Sequence, residues 1–193
     1  MSAAGVPDLH DRGGTGVVVA VSRSPRHRFS KQVVDAVELV AGHGVEGDAH
    51  AGATVQHRSR KRWRPELPNL RQVHLLHAEL LDDLAARGFA VAPGQLGENV
   101  TVRGLDLLAL PTGSRLHLGD DAVVVLTGLR NPCVQLDRFA DGLVQAVLRR
   151  EDDGSLSRLA GVMAVVERGG PVRPADRVRV ARPDGEPVPL APV

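Results

Sequence analysis

The one cysteine of the chain, Cys133, ends the segment AVVVLTGLRNPC (Ala122–Cys133). The apolar run Ala122–Thr127 reads as a strand. Asn is a preferred helix N-cap and Pro is favoured at the first helical position. The order Arg130-Asn131-Pro132-Cys133 therefore predicts a helix capped by Asn131, with Cys133 in its first turn. A thiol placed there faces unpaired backbone N–H groups and the positive end of the helix dipole, with Arg130 beside it. Both favour thiolate, the form that acts as nucleophile or soft-metal ligand. A buried, inert cysteine is the competing reading, since cysteine is among the most buried residue types. Spacing does not decide between them.

Other segments carry chemistry more weakly. Gly42–Gly52 (GHGVEGDAHAG) has four glycines and offers His43, Glu46, Asp48 and His50, with His57 following. The histidines recur every seven residues in Gly-rich sequence, so no regular element aligns their rings, and no HExxH signature occurs. His57–Arg64 (HRSRKRWR) holds five basic residues in eight and suits phosphate, although an exposed charged loop explains it equally. Gly94–Thr101 (GQLGENVT) is neither a Walker loop nor a dinucleotide fingerprint. His74 and His77 flank an apolar pair at a strand end, a setting that suits core or surface histidines. No GxSxG serine-hydrolase elbow is present.

The elements that must hold these residues are mostly strands. Gly16–Ser22, Val33–Val40, Gln72–Leu76, Glu98–Arg103, Arg115–Leu118, Ala122–Thr127, Gly161–Glu167 and Arg177–Val180 read as strands. Arg115–Leu118 and Ala122–Thr127 flank a Gly-Asp-Asp turn and form a hairpin. Ala78–Arg87 carries a helical stripe of Leu80, Leu81 and Leu84, and Gly88 ends it. Val134–Leu148 repeats the helical spacing at Leu136, Phe139, Leu143 and Val147. The fold class expected is mainly β with α insertions, a β-barrel or curled sheet. Residues 1–14 and the Pro-rich 182–193 are expected to be flexible ends around a domain spanning 15–181.

Composition narrows the function. The chain has 193 residues, 24 Lys+Arg against 23 Asp+Glu, one Cys, one Trp, three Phe and no Tyr. One cysteine excludes an intrachain disulfide and a multi-cysteine zinc site, and it cannot hold an iron–sulfur cluster. Balanced charge and few aromatics argue against a nucleic-acid binder. No apolar run approaches the roughly 20 residues of a membrane span, and the N-terminus lacks a signal-peptide pattern. A cytoplasmic protein with no membrane partner is expected.

In order, VEGDAHAG, PNLRQVHLL, GQLGENVTVRGLDLLALPTGSRLHLG and VVVLTGLRNPC resemble the MOSC domain, named for the C-terminal domain of molybdenum-cofactor sulfurases. The resemblance covers about residues 16–181 and is closest to the short, stand-alone bacterial members. It implies a β-barrel fold and a molybdenum-pterin cofactor (Mo-molybdopterin), with Cys133 as metal ligand or sulfur carrier. Among class activities it also implies pyridoxal phosphate binding. Ser30, Lys31, Arg71 and Arg130 become the candidate partners of the cofactor's phosphate. Gly97, Glu98 and Asn99 match the glycine-led strand near the pterin, with Asn131 in the cysteine segment. Asp48 and His50 match the family's Gly-Asp loop and are candidates to position substrate or supply a proton. The expected function is reduction of N-hydroxylated small molecules, such as hydroxylamino base analogues, with electrons from a separate donor protein. The alternative is a cofactor-binding or sulfur-carrier protein that uses a Cys133 persulfide.

Overall fold

Alternating small β-branched residues build the strands, and their register closes them into a barrel. The structure is a computed structural model that describes residues 14–56 and 63–193. The first strand, β1 (Thr15–Arg23), pairs antiparallel with β2 (Gln32–Val34) and β6 (Val100–Arg103). The order continues through β5 (Val73–His77), β11 (Val162–Arg168), β8 (Ala122–Leu129), β7 (Arg115–Leu118) and β13 (Arg177–Ala181). The pairing of β13 back onto β1, Gly16 opposite Val178, closes seven strands into a barrel. All barrel pairings are antiparallel except β5 with β6, where Leu75 faces Val100. A smaller sheet of β3 (Val37–Val40), β4 (Gly44–Val45) and β12 (Gly170–Val172) packs alongside, and β9 (Leu148–Arg150) pairs with β10 (Leu156–Arg158) as a separate hairpin.

Two cores result. Val18, Val21, Leu75, Val100, Val102, Leu116, Leu118, Val124, Leu126, Val162, Ala164 and Val178 form part of the first cluster, the barrel core. The second joins Leu76 to Leu80, Leu81 and Leu84 of α1 (Ala78–Ala86) and to Leu136 and Leu143 of two later helices. Strand β5 is therefore buried on both faces: Leu75 belongs to the barrel and Leu76 to the helical layer. This second face also covers Asn99 and Thr101, which simple alternation assigns to the outside.

Two expectations change. Residues 33–40 do not form one strand, because the chain bends at Asp35 and continues in a different sheet. The stretch 134–148 is not one helix. It divides into α2 (Gln135–Phe139) and α3 (Leu143–Ala146), because Gly142 takes φ +79°, a left-handed conformation that ends helical geometry. The Pro-rich end makes backbone hydrogen bonds to the barrel. Leu129 N–H donates to Ala191 O at 2.8 Å, and Thr112 N–H to Val188 O at 2.8 Å. Prolines lack N–H groups but keep their carbonyl acceptors, and this tail accepts from its neighbours. A Cβ on Gly128 would collide with the Ala191 carbonyl and the Val193 side chain. The expected flexibility of 1–14 falls almost wholly outside the described residues.

Candidate functional site

A cavity of about 310 Å³ lies against the outer face of β5 and β11, where Met163 is paired with His74. Its walls come from five chain segments: Arg28, Phe29 and Lys31 after β1, His50 and Val55 after β4, residues 67–71 before β5, Leu96, Gly97 and Asn99 before β6, and Arg130, Asn131 and Cys133 after β8.

One polar network braces its wall. Asp48 is buried and accepts from Lys31 Nζ at 2.8 Å, the Ser24 N–H at 3.1 Å and Asn99 Nδ2 at 3.2 Å, all through Oδ2. Its Oδ1 faces His50 Nδ1 at 3.1 Å and accepts the His50 N–H at 2.9 Å. Burial alone would raise the Asp48 carboxyl, but the His50 hydrogen bond and the Lys31 charge reverse this and hold it well below the usual carboxylate range. Burial lowers Lys31, partly offset by Asp48. Asn99 spends its amide on structure: Nδ2 also donates to Ser22 O, and Oδ1 accepts the His74 N–H.

The folded Asp48 carboxyl is the more acidic one, so its partners contribute stability that is complete above the unfolded value, about 3.9, and lost as pH falls through the depressed folded value. Lys31→Met alone strands the carboxylate and is expected to cost about 3–5 kcal/mol. Lys31→Met with Asp48→Leu removes both charges. That double variant should lose one proton from the dependence of stability on pH below about pH 4. Urea titrations across pH 2.5–5 measure this; a slope equal to wild type would refute it.

The opposite wall is cationic. Arg130 Nη1 is fully enclosed and has no hydrogen-bond partner among the described residues. Its guanidinium carbon stands 5.9 Å from the centre of the Phe29 ring. Burial lowers the Arg130 guanidinium, partly offset by Cys133 and Glu98. His74 beneath it is fully enclosed. Its Nε2 lies 2.8 Å from the Ala160 carbonyl, so Nε2 carries the proton. Burial, followed by the Arg130 charge, pushes this imidazole well below its ordinary value, and it stays neutral.

The residues named from the sequence fall into groups. Lys31, His50, Arg71, Gly97, Asn99, Arg130, Asn131 and Cys133 all line the cavity. Asp48 stands behind Lys31 and His50. Glu98 and Ser30 do not line it. Glu98 is entirely buried and accepts from the Gly94 N–H and the Thr101 hydroxyl, which folds the turn before β6. Ser30 donates to Gln95 O at 3.0 Å. The helix-cap reading of Cys133 is corrected. Helix α2 starts two residues later, its N-cap is Val134, and no side chain caps it. Asn131 instead accepts from Arg158 Nε at 3.1 Å. With its side-chain oxygen engaged there, Asn131 does not cap a helix at Pro132. Cys133 is exposed at the rim, with Sγ 3.6 Å from Gln135 Oε1. Cys133 is therefore not the buried cysteine of the competing reading. His57 and most of the basic loop lie outside the described residues.

Sequence reasoning passed over Phe29, Asn69 and Met163, and read His74 as a core or surface histidine, which is buried here at the cavity wall. Asn69 binds the His50 and Gly52 carbonyls through Nδ2, tying the Gly-rich loop to the segment before β5. Its Oδ1 accepts the Arg71 N–H, a local Asx turn that the order Asn-Leu-Arg permits. Gly97 has φ +84°, and a Cβ there would sit 2.6 Å from the Phe29 carbonyl oxygen. Gly97→Ala is expected to cost about 2 kcal/mol or more and to lower Tm by about 4–8 °C. Calorimetry checks it, and an unchanged Tm would contradict the crowding.

A closed barrel with a cation-walled cavity and a thiol at its rim is the frame of a ligand-binding domain. The MOSC domain profile matches residues 46–179, and the chain belongs to the MOSC domain family. Among solved structures it is similar to the YuaD protein from Bacillus subtilis, with TM-score 0.73, 26% identity, and 88% of this chain and 97% of that one covered. It also shares its fold with YiiM from Escherichia coli, at TM-score 0.58 and 18% identity, with 89% of this chain and 73% of that chain covered. YiiM from Geobacillus stearothermophilus gives TM-score 0.56 and 17% identity, covering 90% and 77%. No curated protein matches the chain. Membership places the chain among cofactor-binding or sulfur-handling domains. Among the described residues no helix is long and apolar enough to cross a membrane.

Proposed function

We propose that the cavity binds the molybdenum-pterin cofactor and that the protein reduces N-hydroxylated compounds to amines. The observation that carries this is the enclosed Arg130 Nη1, a buried donor with no partner among the described residues. Unpaired buried donors are costly, and an anionic ligand in the cavity would satisfy this one. The cavity volume lies within the range of small-molecule sites, about 300–1,000 Å³. Arg130 and Arg71 would hold the phosphate, with Lys31 contributing its charge from the wall while it stays bonded to Asp48, and Cys133, the chain's one thiol, suits the soft metal. Bound there, the cofactor supplies two-electron redox chemistry. The reaction balances as R–NHOH plus two electrons and two protons giving R–NH2 and water, with the electrons drawn from a separate donor protein.

The chain's own residues bind, orient and exclude water. Phe29, Leu96 and Met163 give the cavity apolar walls, which strengthens charge interactions inside. Pyridoxal phosphate is less well supported, because its usual lysine partner would have to be Lys31, whose amine is held by Asp48. A sulfur-carrier role draws on the same exposed Cys133. Elemental analysis of protein from molybdate-fed cells, with cofactor extraction, tests the reading. About one Mo per chain supports it, and a persulfide mass on Cys133 without Mo favours the carrier.

A further inference from the structure

The Gly-rich loop places His50 on the cavity wall, and Asp48 holds one side of its ring. His50 Nδ1 is 3.1 Å from Asp48 Oδ1, while the ring itself lines the cavity. Asp48 Oδ2 is in turn fixed by Lys31 Nζ at 2.8 Å, and both of these side chains are nearly inaccessible, 3% and 2% exposed. The His50 side chain keeps 35% of its surface. Its second nitrogen, Nε2, is on the far side of the ring from the Nδ1 that meets Asp48. The His27 ring stands edge-on to His50, with centroids 5.1 Å apart. Among the described residues, Asp48, Lys31 behind it and His27 stand next to His50, and Arg28, Arg71, Arg130 and Cys133 line the same cavity.

We infer that His50 is the acid–base group of this cavity, and that Lys31 and Asp48 are positioning residues that keep its neutral ring protonated on Nδ1 and bare on Nε2. A carboxylate has no proton to donate, so the hydrogen between Asp48 and His50 belongs to Nδ1. The Lys31 cation keeps the buried Asp48 in its carboxylate form. Nε2 is then free to take a proton from solvent and to pass it to an oxygen of a bound ligand. For an N-hydroxy compound that oxygen leaves as water, and His50 returns to its neutral form. The assignment deepens the proposed reduction and rests on it for the ligand, but the ring geometry stands without any cofactor.

Long-range 1H–15N spectra of the full cofactor-free chain at about pH 8 test the geometry, with His50 assigned by comparison with His50→Gln. A solvated histidine favours the proton on Nε2, so the expected result, Nδ1–H with a bare Nε2, is not the default. Asp48→Leu combined with Lys31→Met leaves no stranded buried charge and should return His50 to Nε2–H. A wild-type spectrum dominated by Nε2–H overturns the inference whether or not the protein binds molybdenum. In cofactor-loaded protein, His50→Gln should lower kcat about a hundredfold with Mo content unchanged. Unchanged kcat, or loss of Mo in that variant, also overturns it.

Discussion

Cys133→Ala is expected to keep its fold and lose its molybdenum. The thiol is exposed, and among the described residues its one hydrogen bond is the long contact to Gln135. Removing it should change stability by no more than about 0.5 kcal/mol, as at other surface positions without special contacts. The loop that carries it is held independently: the Arg130 N–H donates to Gly161 O at 3.0 Å, and the Leu136 N–H to Cys133 O at 3.0 Å. Both are backbone bonds that alanine retains. A lost metal ligand should then weaken metal affinity by more than the 10–100-fold typical of outer-shell changes. Metal analysis of wild type and variant, with matched thermal unfolding, measures both halves. Stoichiometric Mo in Cys133→Ala would remove the ligand role. Because no other cysteine exists, no second thiol can mask the result.

Arg130→Met should make the cofactor-free protein more stable while impairing anion binding. A buried donor left without a partner costs about 1–3 kcal/mol, a cost that an apolar side chain of similar length removes. Loss of the stacking on Phe29 returns about 0.5–1 kcal/mol. The sum favours the variant by about 1 kcal/mol, a rise in Tm of about 2–4 °C for a chain of this length. The charge-assisted hydrogen bond that Arg130 would give a phosphate is worth about 1.5–3 kcal/mol, so the variant should bind the cofactor about 10–100-fold more weakly. Scanning calorimetry of the cofactor-free protein and Mo content after expression give the two readings. A strongly destabilised Arg130→Met would show that the guanidinium serves the fold rather than a ligand.

Local pattern determined a good deal of this molecule. The strands β1, β5, β7, β8, β11 and β13 and the helix α1 lie where alternation, apolar runs and the Gly88 stop put them, because these signals act within a few residues. Of the cavity lining, His50, Arg71, Gly97, Asn99, Arg130, Asn131 and Cys133 lie in motifs whose order along the chain marks the family. Pairing across distance was another matter. That β13 closes onto β1, that Lys31 meets Asp48, and that His74 lies beneath Arg130 follow from barrel closure, which brings together residues far apart in sequence. Covering β5 and β6 on both faces buried Glu98 as a brace for a turn, Gly142 parted α2 from α3, and Arg158 took the Asn131 side chain that would have capped a helix around Cys133. Residue types and their order declared the chemistry. Only the closed barrel decided which side chains share a cavity, because burial and charge pairing depend on neighbours that the chain order does not specify.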